Sequence, residues 1–179
     1  NVRHKAGSSF EIRDLSLHVP YGSIYGFLGP NGSGKTTTIR VLMGMHRASA
    51  GKISVLGHAI PQKTTQALTK IGYVPERPHL YSALTVEESV RYHASFFKDW
   101  DEAWGDDLLE RMRLTTTQRV GRLSKGEAGK LLMVLALAQK PELLILDEPT
   151  DGLDPVARRE VMTAVLDYVS DTDATVFIS

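Results

Sequence analysis

Two short segments contain the residues best suited to chemistry, and the first is a glycine-rich loop. It reads Gly29-Pro30-Asn31-Gly32-Ser33-Gly34-Lys35-Thr36 and matches the pattern G-x-x-x-x-G-K-[ST] in full. Glycines in such a loop let successive backbone N–H groups turn inward and cradle phosphate oxygens at a helix N-terminus. Lys35 would supply a charge to β- and γ-phosphates, and the Thr36 hydroxyl would be placed for Mg²⁺. The 29–36 loop, together with the adjacent Thr37, therefore predicts a phosphate-binding site.

This loop has two other interpretations. It could be a glycine-rich turn that contains a lysine by chance. An apolar run precedes it and a helical stretch follows it, however, which is the context that phosphate binding requires. A dinucleotide-binding pattern that starts at Gly32 is excluded, because Thr37 stands where the third glycine of G-x-G-x-x-G would be.

The second segment is a pair of acids, Asp147 and Glu148, which follows the apolar run 143–146. A buried strand that ends in acids delivers them to the sheet edge where open α/β sheets bind ligands. Asp147 would hold Mg²⁺ directly or through water, and Glu148 would accept a proton from an attacking water. Many strands end in an aspartate without such a role, so only the combination with the 29–36 loop favours a catalytic site.

Ser124 and Glu127 begin the most apolar helix of the chain with the Ser-x-x-Glu spacing of a capping box, and Thr85 and Glu88 begin an earlier helix in the same way. A purely structural role is the simplest interpretation of Ser124. A helix N-terminus with a hydroxyl and the nearby Gly126 also suits phosphate binding. Both interpretations remain open at this point.

The pattern of apolar residues predicts strands towards both ends of the chain and helices in its middle. The expected strands are 10–19, 24–28, 53–56, 71–74, 143–146 and 175–178. The expected helices are 35–43, 85–97, 101–112, a long helix from 124, and 154–169, which Asp154-Pro155 would begin. This order favours an α/β fold with a helical insertion.

The composition excludes several classes of function. The 179 residues carry 21 Lys+Arg against 21 Asp+Glu, and this balance argues against binding to a nucleic acid backbone. The absence of cysteine excludes disulfides, zinc–thiolate sites and thiol nucleophiles. The longest apolar run, 131–138, is far shorter than the roughly 18–20 residues of a membrane span. We therefore expect a soluble, cytoplasmic protein without a signal peptide.

The order of these motifs resembles that of the nucleotide-binding domain of ATP-binding cassette (ABC) proteins, over nearly the whole chain. The resemblance implies a P-loop NTPase with a RecA-like core, an N-terminal antiparallel β subdomain and an inserted helical subdomain. The core would occupy about 1–78 and 136–179, and the helical subdomain about 79–135. The resemblance also implies ATP and Mg²⁺ as ligands, a dimer with a second ATP-binding domain, and an integral membrane permease at the inner face of the cell membrane.

Several site residues are implied by this resemblance alone. Ser124 and Gly126 match the signature loop, which reaches the γ-phosphate of ATP held by the 29–36 loop of the other subunit. Asp154 matches the D-loop aspartate, which couples the two sites of the dimer. Glu76 stands where most of the family has the Q-loop glutamine; there it would ligand Mg²⁺ or orient water and link the metal site to transport.

Four details resemble the ABC-2-type subgroup, which serves two-subunit exporters: segments 73–76, 97–101 and 152–155, and Lys125. Lys125 and Glu127 depart from the glycine and glutamine that are usual in the signature loop. The aromatic residue that stacks on adenine is expected near His4, with Phe10 as the other candidate. The switch histidine would follow Ser179, just beyond the given sequence, so we expect the chain as given to bind nucleotide weakly and to hydrolyse it poorly.

The leading hypothesis is therefore an ATPase subunit of an ABC exporter, with Glu148 as the base and Lys35 on the phosphates. A non-transport ABC switch is the first alternative, although the long coiled-coil insertions or tandem domains usual in that class are absent from the given sequence. A regulatory module that binds ATP without hydrolysis is the second. Glu148 argues against it, and the altered signature loop argues for it.

Overall fold

A computed structural model describes residues 2–6 and 10–179 of the chain. Its strands are β1 (Val2–Ala6), β2 (Phe10–Leu15), β3 (Ile24–Gly26), β4 (Ile53–Val55), β5 (His58–Ile60), β6 (Ile71–Val74), β7 (Leu143–Leu146) and β8 (Thr175–Ile178). Its α-helices are α1 (Lys35–Leu42), α2 (Thr64–Leu68), α3 (Val86–Ala94), α4 (Glu102–Arg111), α5 (Lys125–Ala138) and α6 (Pro155–Asp171). The expected α/β class is confirmed.

The central sheet consists of four parallel strands in the order β3-β8-β7-β6. Leu146 of β7 pairs with Val74 of β6 on one side and with Ile178 of β8 on the other. Because the strands are parallel, their carboxyl ends meet at one edge of the sheet. The segments that follow β3 and β7, the 29–36 loop and Asp147, are therefore brought to the same edge.

Helix α5 fills the space between the central sheet and the outer helices. Its residues from Leu131 to Ala138 are all buried, as expected for a helix that is apolar on every side. It packs on β6, α4 and α6. Gly72 of β6 allows this close approach, since a Cβ atom added there would lie 2.6 Å from the carbonyl oxygen of Ala136. The helices of the middle region therefore share one core with the sheet.

The N-terminal part forms two antiparallel hairpins, β1-β2 and β4-β5, and a backbone bridge joins Arg3 to Ala50. A second apolar cluster unites these strands with α1 and the opposite face of the sheet, through residues such as Ile39, Ile53 and Phe177. The central sheet is thus covered on both faces, and the N-terminal strands take the antiparallel form that the resemblance implies.

Some elements differ from the sequence-based expectation. The strand expected at 10–19 ends at Leu15, which pairs with Val2, the first residue of β1. The helix expected at 85–97 ends at Ala94. The elements β1, β5 and α2 were not expected, because their sequences lack the apolar runs that predicted the other short elements.

The helices formed by the described residues, 2–6 and 10–179, include none with the length and hydrophobicity needed to cross a bilayer. The division into a core at about 1–78 and 136–179 and a helical subdomain at about 79–135 stays a prediction.

Candidate functional site

The 29–36 loop connects β3 to the start of α1. Gly32 and Gly34 have φ values of 80° and 93°, a left-handed conformation that glycine adopts without strain. Gly29 is closely packed, since a Cβ atom there would lie 2.7 Å from the Ser33 hydroxyl and would force that hydroxyl to rotate away. Gly34 is also the N-cap of α1. Because a glycine cap has no side chain, the first backbone N–H groups of α1 are not capped by it and suit an anion.

Lys35 joins the loop to the end of β7. Its ammonium group donates hydrogen bonds to the carbonyl oxygens of Gly29, at 2.8 Å, and Pro30, at 3.4 Å. It also forms an ion pair with the Glu148 carboxylate at 3.1 Å. Only 10% of the lysine side chain is exposed. The loop therefore encloses the side chain of Lys35, and the ammonium group of this lysine contacts Glu148, the candidate base.

Asp147 is completely buried at the end of β7. Its Oδ1 accepts hydrogen bonds from the hydroxyl groups of Thr36, at 3.1 Å, and Ser179, at 2.9 Å. Its Oδ2 is buried and has no hydrogen-bond partner among the residues that the structure describes. A carboxylate oxygen without a donor, next to a threonine hydroxyl, is the hard-oxygen chemistry that Mg²⁺ prefers. These residues fit the predicted metal site.

Glu148 has an unusual backbone conformation, with a φ of 51°. A residue other than glycine adopts this left-handed region at a cost of about 1–3 kcal/mol unless its surroundings hold it there. Here the Glu148 N–H donates to both the carbonyl and the hydroxyl oxygen of Ser179, at 3.3 Å each. This conformation turns the Glu148 side chain towards Lys35 and leaves it partly exposed.

Glu76 lies just beyond β6, is exposed, and lines a small cavity together with Glu148. The pKa of Tyr73, in β6, reflects the negative charges of this region. Burial, followed by the charge of Asp147, raises the pKa of Tyr73 to about 12; Arg40 opposes the increase and Glu76 adds to it. Glu76 and Asp147 thus act electrostatically on one common neighbour.

Ser124, Gly126 and Asp154 form a second group at the N-termini of α5 and α6. The Ser124 hydroxyl accepts from the Glu127 N–H at 3.2 Å, and the Glu127 carboxylate accepts from the Ser124 N–H at 2.8 Å, so the capping box is present. Asp154 accepts from the N–H groups of residues 156 and 157, which lower its pKa. Gly126 has only ordinary contacts with the side chains of Leu153 and Ala157. The predicted capping box of Ser124 and Glu127 is thus confirmed, and the phosphate-binding role of Ser124 stays a prediction.

Two features of the site were missed by the sequence analysis. Ser179 was treated only as the end of a strand, although it contacts both acids; a hydroxyl directly after the strand that neighbours β7 was the available signal. The second feature is an ion pair between Lys125 and Asp151 at 3.0 Å, which joins the start of α5 to the segment between β7 and α6.

The candidates for adenine stacking receive little support. His4 is buried; its ring stacks on His46, and its Nδ1 lies 2.9 Å from the carbonyl oxygen of Arg47. The side chain of Phe10 lies outside the described part of the chain. Pro30 and Asn31 are exposed at the tip of the 29–36 loop.

Sequence comparison places these features among known proteins. A family model described as ABC transporter matches residues 12–151. The bacitracin transport ATP-binding protein BcrA of Bacillus licheniformis is 38% identical over 175 residues, which are 97% of this chain and 57% of that protein. The Nod factor export ATP-binding protein I of Burkholderia orbicola is 38% identical over 163 residues, which are 88% of this chain and 54% of that protein. The chain therefore spans just over half the length of these curated relatives.

Solved structures agree with the sequence relatives. The structure of an ATP-binding subunit of an ABC transporter superposes with a TM-score of 0.87 and 28% identity, covering 99% of this chain and 76% of the other. The structure of cbiO1 from Clostridium perfringens, part of the ABC transporter complex cbiONQ, gives a TM-score of 0.79 at 24% identity, which shows a shared fold. It covers 99% of this chain and 74% of the other. The chain belongs to the ABC transporter family, as one of its ATP-binding domains.

Proposed function

We propose that the chain binds ATP with Mg²⁺ at the 29–36 loop, hydrolyses it to ADP and phosphate, and powers export through a separate membrane subunit. One observation carries this proposal. Lys35 contacts Glu148 at 3.1 Å, and Thr36 contacts Asp147 at 3.1 Å. A phosphate-binding lysine, a metal-binding hydroxyl and two acids are thus close together, and phosphoryl transfer depends on positioning such groups.

The 29–36 loop is proposed to hold the triphosphate. Backbone N–H groups of the loop and of the first turn of α1 would donate to phosphate oxygens, as at other helix N-termini. Lys35 is already held beside the loop by the carbonyl groups of Gly29 and Pro30. It would therefore reach the β- and γ-phosphates with little loss of side-chain freedom.

Thr36, Asp147 and Glu76 are the proposed holders of Mg²⁺. When bound, Mg²⁺ would offset the negative charge on the phosphate oxygens. Thr36 supplies a hydroxyl oxygen, and Asp147 supplies a buried carboxylate that Ser179 and Thr36 already orient. Glu76, at the end of the neighbouring strand, would add a carboxylate directly or through water.

Glu148 is proposed as the general base. It would accept a proton from a water whose oxygen forms a bond to the γ-phosphorus while the bond from that phosphorus to the bridging oxygen of ADP breaks. The partial exposure of its side chain supports this role, because a base must be reached by water.

Ser124, Gly126 and Asp154 are proposed to act across a head-to-tail dimer with a second ATP-binding domain. Ser124 and Asp154 are exposed at the N-termini of two helices that pack on each other, α5 and α6. The partial positive charge of helix N-termini favours a phosphate from another subunit. This arrangement would make hydrolysis depend on assembly.

A membrane permease is the proposed second partner, at the inner face of the cell membrane. The relatives named above serve bacitracin transport and Nod factor export, and these names favour an exporter. An exposed aromatic patch, formed by Tyr81, Tyr92 and Phe96, lies beyond the segment that contains Glu76. Exposed apolar patches commonly mark protein interaction sites.

ATP binding tests the first step of the proposal. Isothermal titration calorimetry of the full-length protein with ATP and Mg²⁺ should give a measurable affinity, which Lys35→Met lowers about ten- to hundred-fold, because a hydrogen bond to a charged group is lost. Lys98→Met is the control, since Lys98 is an exposed lysine between α3 and α4. Equal affinities for wild type and Lys35→Met would contradict the proposed role of the loop.

A further inference from the structure

Lys125 occupies a helix position that is unfavourable for a positive charge. It is the first residue of α5, and a positive charge in the first turn of a helix is disfavoured by the helix dipole. Its ammonium group lies 3.0 Å from the Asp151 carboxylate. This carboxylate offsets the unfavourable position and directs the side chain away from α5, towards the segment between β7 and α6.

The segment that Lys125 contacts is shaped to receive it. Gly152 has a φ of 65°, and a Cβ atom added there would lie 2.9 Å from Cε and 3.0 Å from Cδ of Lys125. The aliphatic part of the lysine therefore packs directly over the Gly152 backbone. A larger residue would displace it, so the lysine and the glycine are matched in shape.

The same segment continues back to the proposed base. The N–H of Asp151 donates to the carbonyl oxygen of Glu148 at 3.1 Å, which closes a turn of four residues. Lys125, Asp151, Glu148 and Glu76 also line one small cavity. Lys125 therefore brings a positive charge to a cavity that contains three carboxylates, and its ion pair restrains the turn in which Glu148 stands.

We propose that Lys125 is a positioning residue, which acts through Asp151 to hold the turn that contains Glu148 and so aligns the base. This inference rests on the proposed function, because it assumes that Glu148 accepts the proton. The ion pair is half exposed, with 54% of the lysine and 62% of the aspartate side chain accessible. Such an exposed pair adds little to global stability, and added salt weakens it by screening the two charges. Its effect should therefore appear in turnover more than in folding.

A double-mutant cycle tests the inference in the full-length protein. Lys125→Met keeps the packing on Gly152 and removes the charge, and Asp151→Asn removes the partner charge. We expect each variant to lower kcat roughly three- to ten-fold with an unchanged Kd for ATP, and the double variant to be no worse than either single one. Added NaCl should lower kcat of the wild type and leave that of the variants nearly constant. These results separate positioning from a general loss of structure.

Lys140→Met is the matched control. Lys140 forms an ion pair with Asp101 at 2.8 Å and has 56% exposure, close to that of Lys125, but it follows the opposite end of α5. That end is about 20 Å away at 1.5 Å per residue. We expect this variant to keep wild-type kcat and salt dependence. A loss equal to that of Lys125→Met would overturn the inference.

Hydrogen exchange separates this inference from the proposed function. Without nucleotide, the amides of residues 148–154 should exchange faster in Lys125→Met than in wild type or Lys140→Met. An unchanged exchange rate would overturn the inference. It would also be overturned if Asp151→Asn did not lower kcat as Lys125→Met does, or if the effects of the two substitutions on kcat were additive in the double variant. If the wild type binds ATP without turnover, the hydrolysis proposal fails, and the exchange rates still decide whether Lys125 holds the turn.

Discussion

Asp147 is the residue that connects the loop, the sheet and the candidate base. It is fully buried, and hydroxyl groups from α1 and from the end of β8 donate to its Oδ1. Burial of a charged group is costly unless it is paired. Oδ2 has no hydrogen-bond partner within the described part of the chain. This points to a function that needs a carboxylate there, and the proposed Mg²⁺ would satisfy it.

Four other carboxylates make the stability of the protein depend on pH. A hydrogen bond from the Thr85 N–H lowers the pKa of Glu88, and one from the Ser124 N–H lowers the pKa of Glu127. Lys140, followed by the Trp104 N–H, lowers the pKa of Asp101. The N–H groups of residues 157 and 156 lower the pKa of Asp154. All four carboxylates lie at the N-cap or in the first turn of a helix.

A lowered pKa in the folded state stabilises the protein above the usual carboxyl pKa of 3.8 to 4.5. That stabilisation is lost as the pH falls through the lowered values. We expect Tm to decrease as the pH falls below about 5, and Asp154→Asn to make the decrease shallower, since asparagine caps a helix without titrating. Calorimetric scans at successive pH values measure this. An Asp154→Asn protein with an unchanged pH profile would contradict the assignment.

At the scale of elements, the helix starts divide into two kinds. Helices α3, α4, α5 and α6 begin with a side chain that accepts from the first turn. Among the described residues, α1, which follows Gly34, and the short helix α2, which follows Lys63, have no side-chain cap. A side-chain cap satisfies N–H groups that an anion would otherwise contact. The uncapped start of α1 is the one that lies in the 29–36 loop, next to the two acids.

The two capping boxes form a matched pair for an experiment. Thr85→Ala and Ser124→Ala each remove a cap hydroxyl, so each should lower the free energy of unfolding by about 1 kcal/mol. Only Ser124→Ala should also lower ATP turnover beyond that effect, because Ser124 is proposed to contact the nucleotide of a second subunit. Urea denaturation and steady-state turnover give the two quantities. Equal turnover in both variants would restrict Ser124 to its structural role.

Sequence reasoning succeeded where local chemistry dictates structure. The loop glycines, the cap at Ser124 and the acids after β7 are each determined by a few neighbouring residues. The contacts of Ser179 and the pairing of Lys125 with Asp151 join segments 26–32 residues apart, so only the fold reveals them. The early end of β2 depends on the pairing with β1, an element that periodicity does not predict.

At the scale of the whole molecule, the exposed aromatic patch on one side is the surface best suited to a partner. Tyr81 packs edge to face on Tyr92, and Tyr92 on Phe96, with ring centres 5.4 and 5.2 Å apart. All three side chains are exposed. Aromatic residues contribute strongly to the binding energy of protein interfaces. The patch is therefore already ordered for contact with the proposed permease.

Substitution of this patch tests the partner. Tyr92→Ser combined with Phe96→Ser should lower co-purification with the proposed membrane permease by roughly ten-fold or more, because the central contacts of an interface dominate its affinity. ATP affinity should not change. Leu166→Ser, at an exposed apolar residue of α6, is the control. Undiminished co-purification of the double variant would place the permease elsewhere on the molecule.

The central claim is that the acids after β7 and the 29–36 loop form one ATP-hydrolysing site. The most direct measurement compares ATP binding and steady-state turnover of the full-length protein with those of Glu148→Gln, which keeps the side-chain shape and removes the base. We predict unchanged ATP affinity and a loss of kcat of at least about 100-fold, as expected for a general base. Turnover in Glu148→Gln equal to that of the wild type would contradict the account.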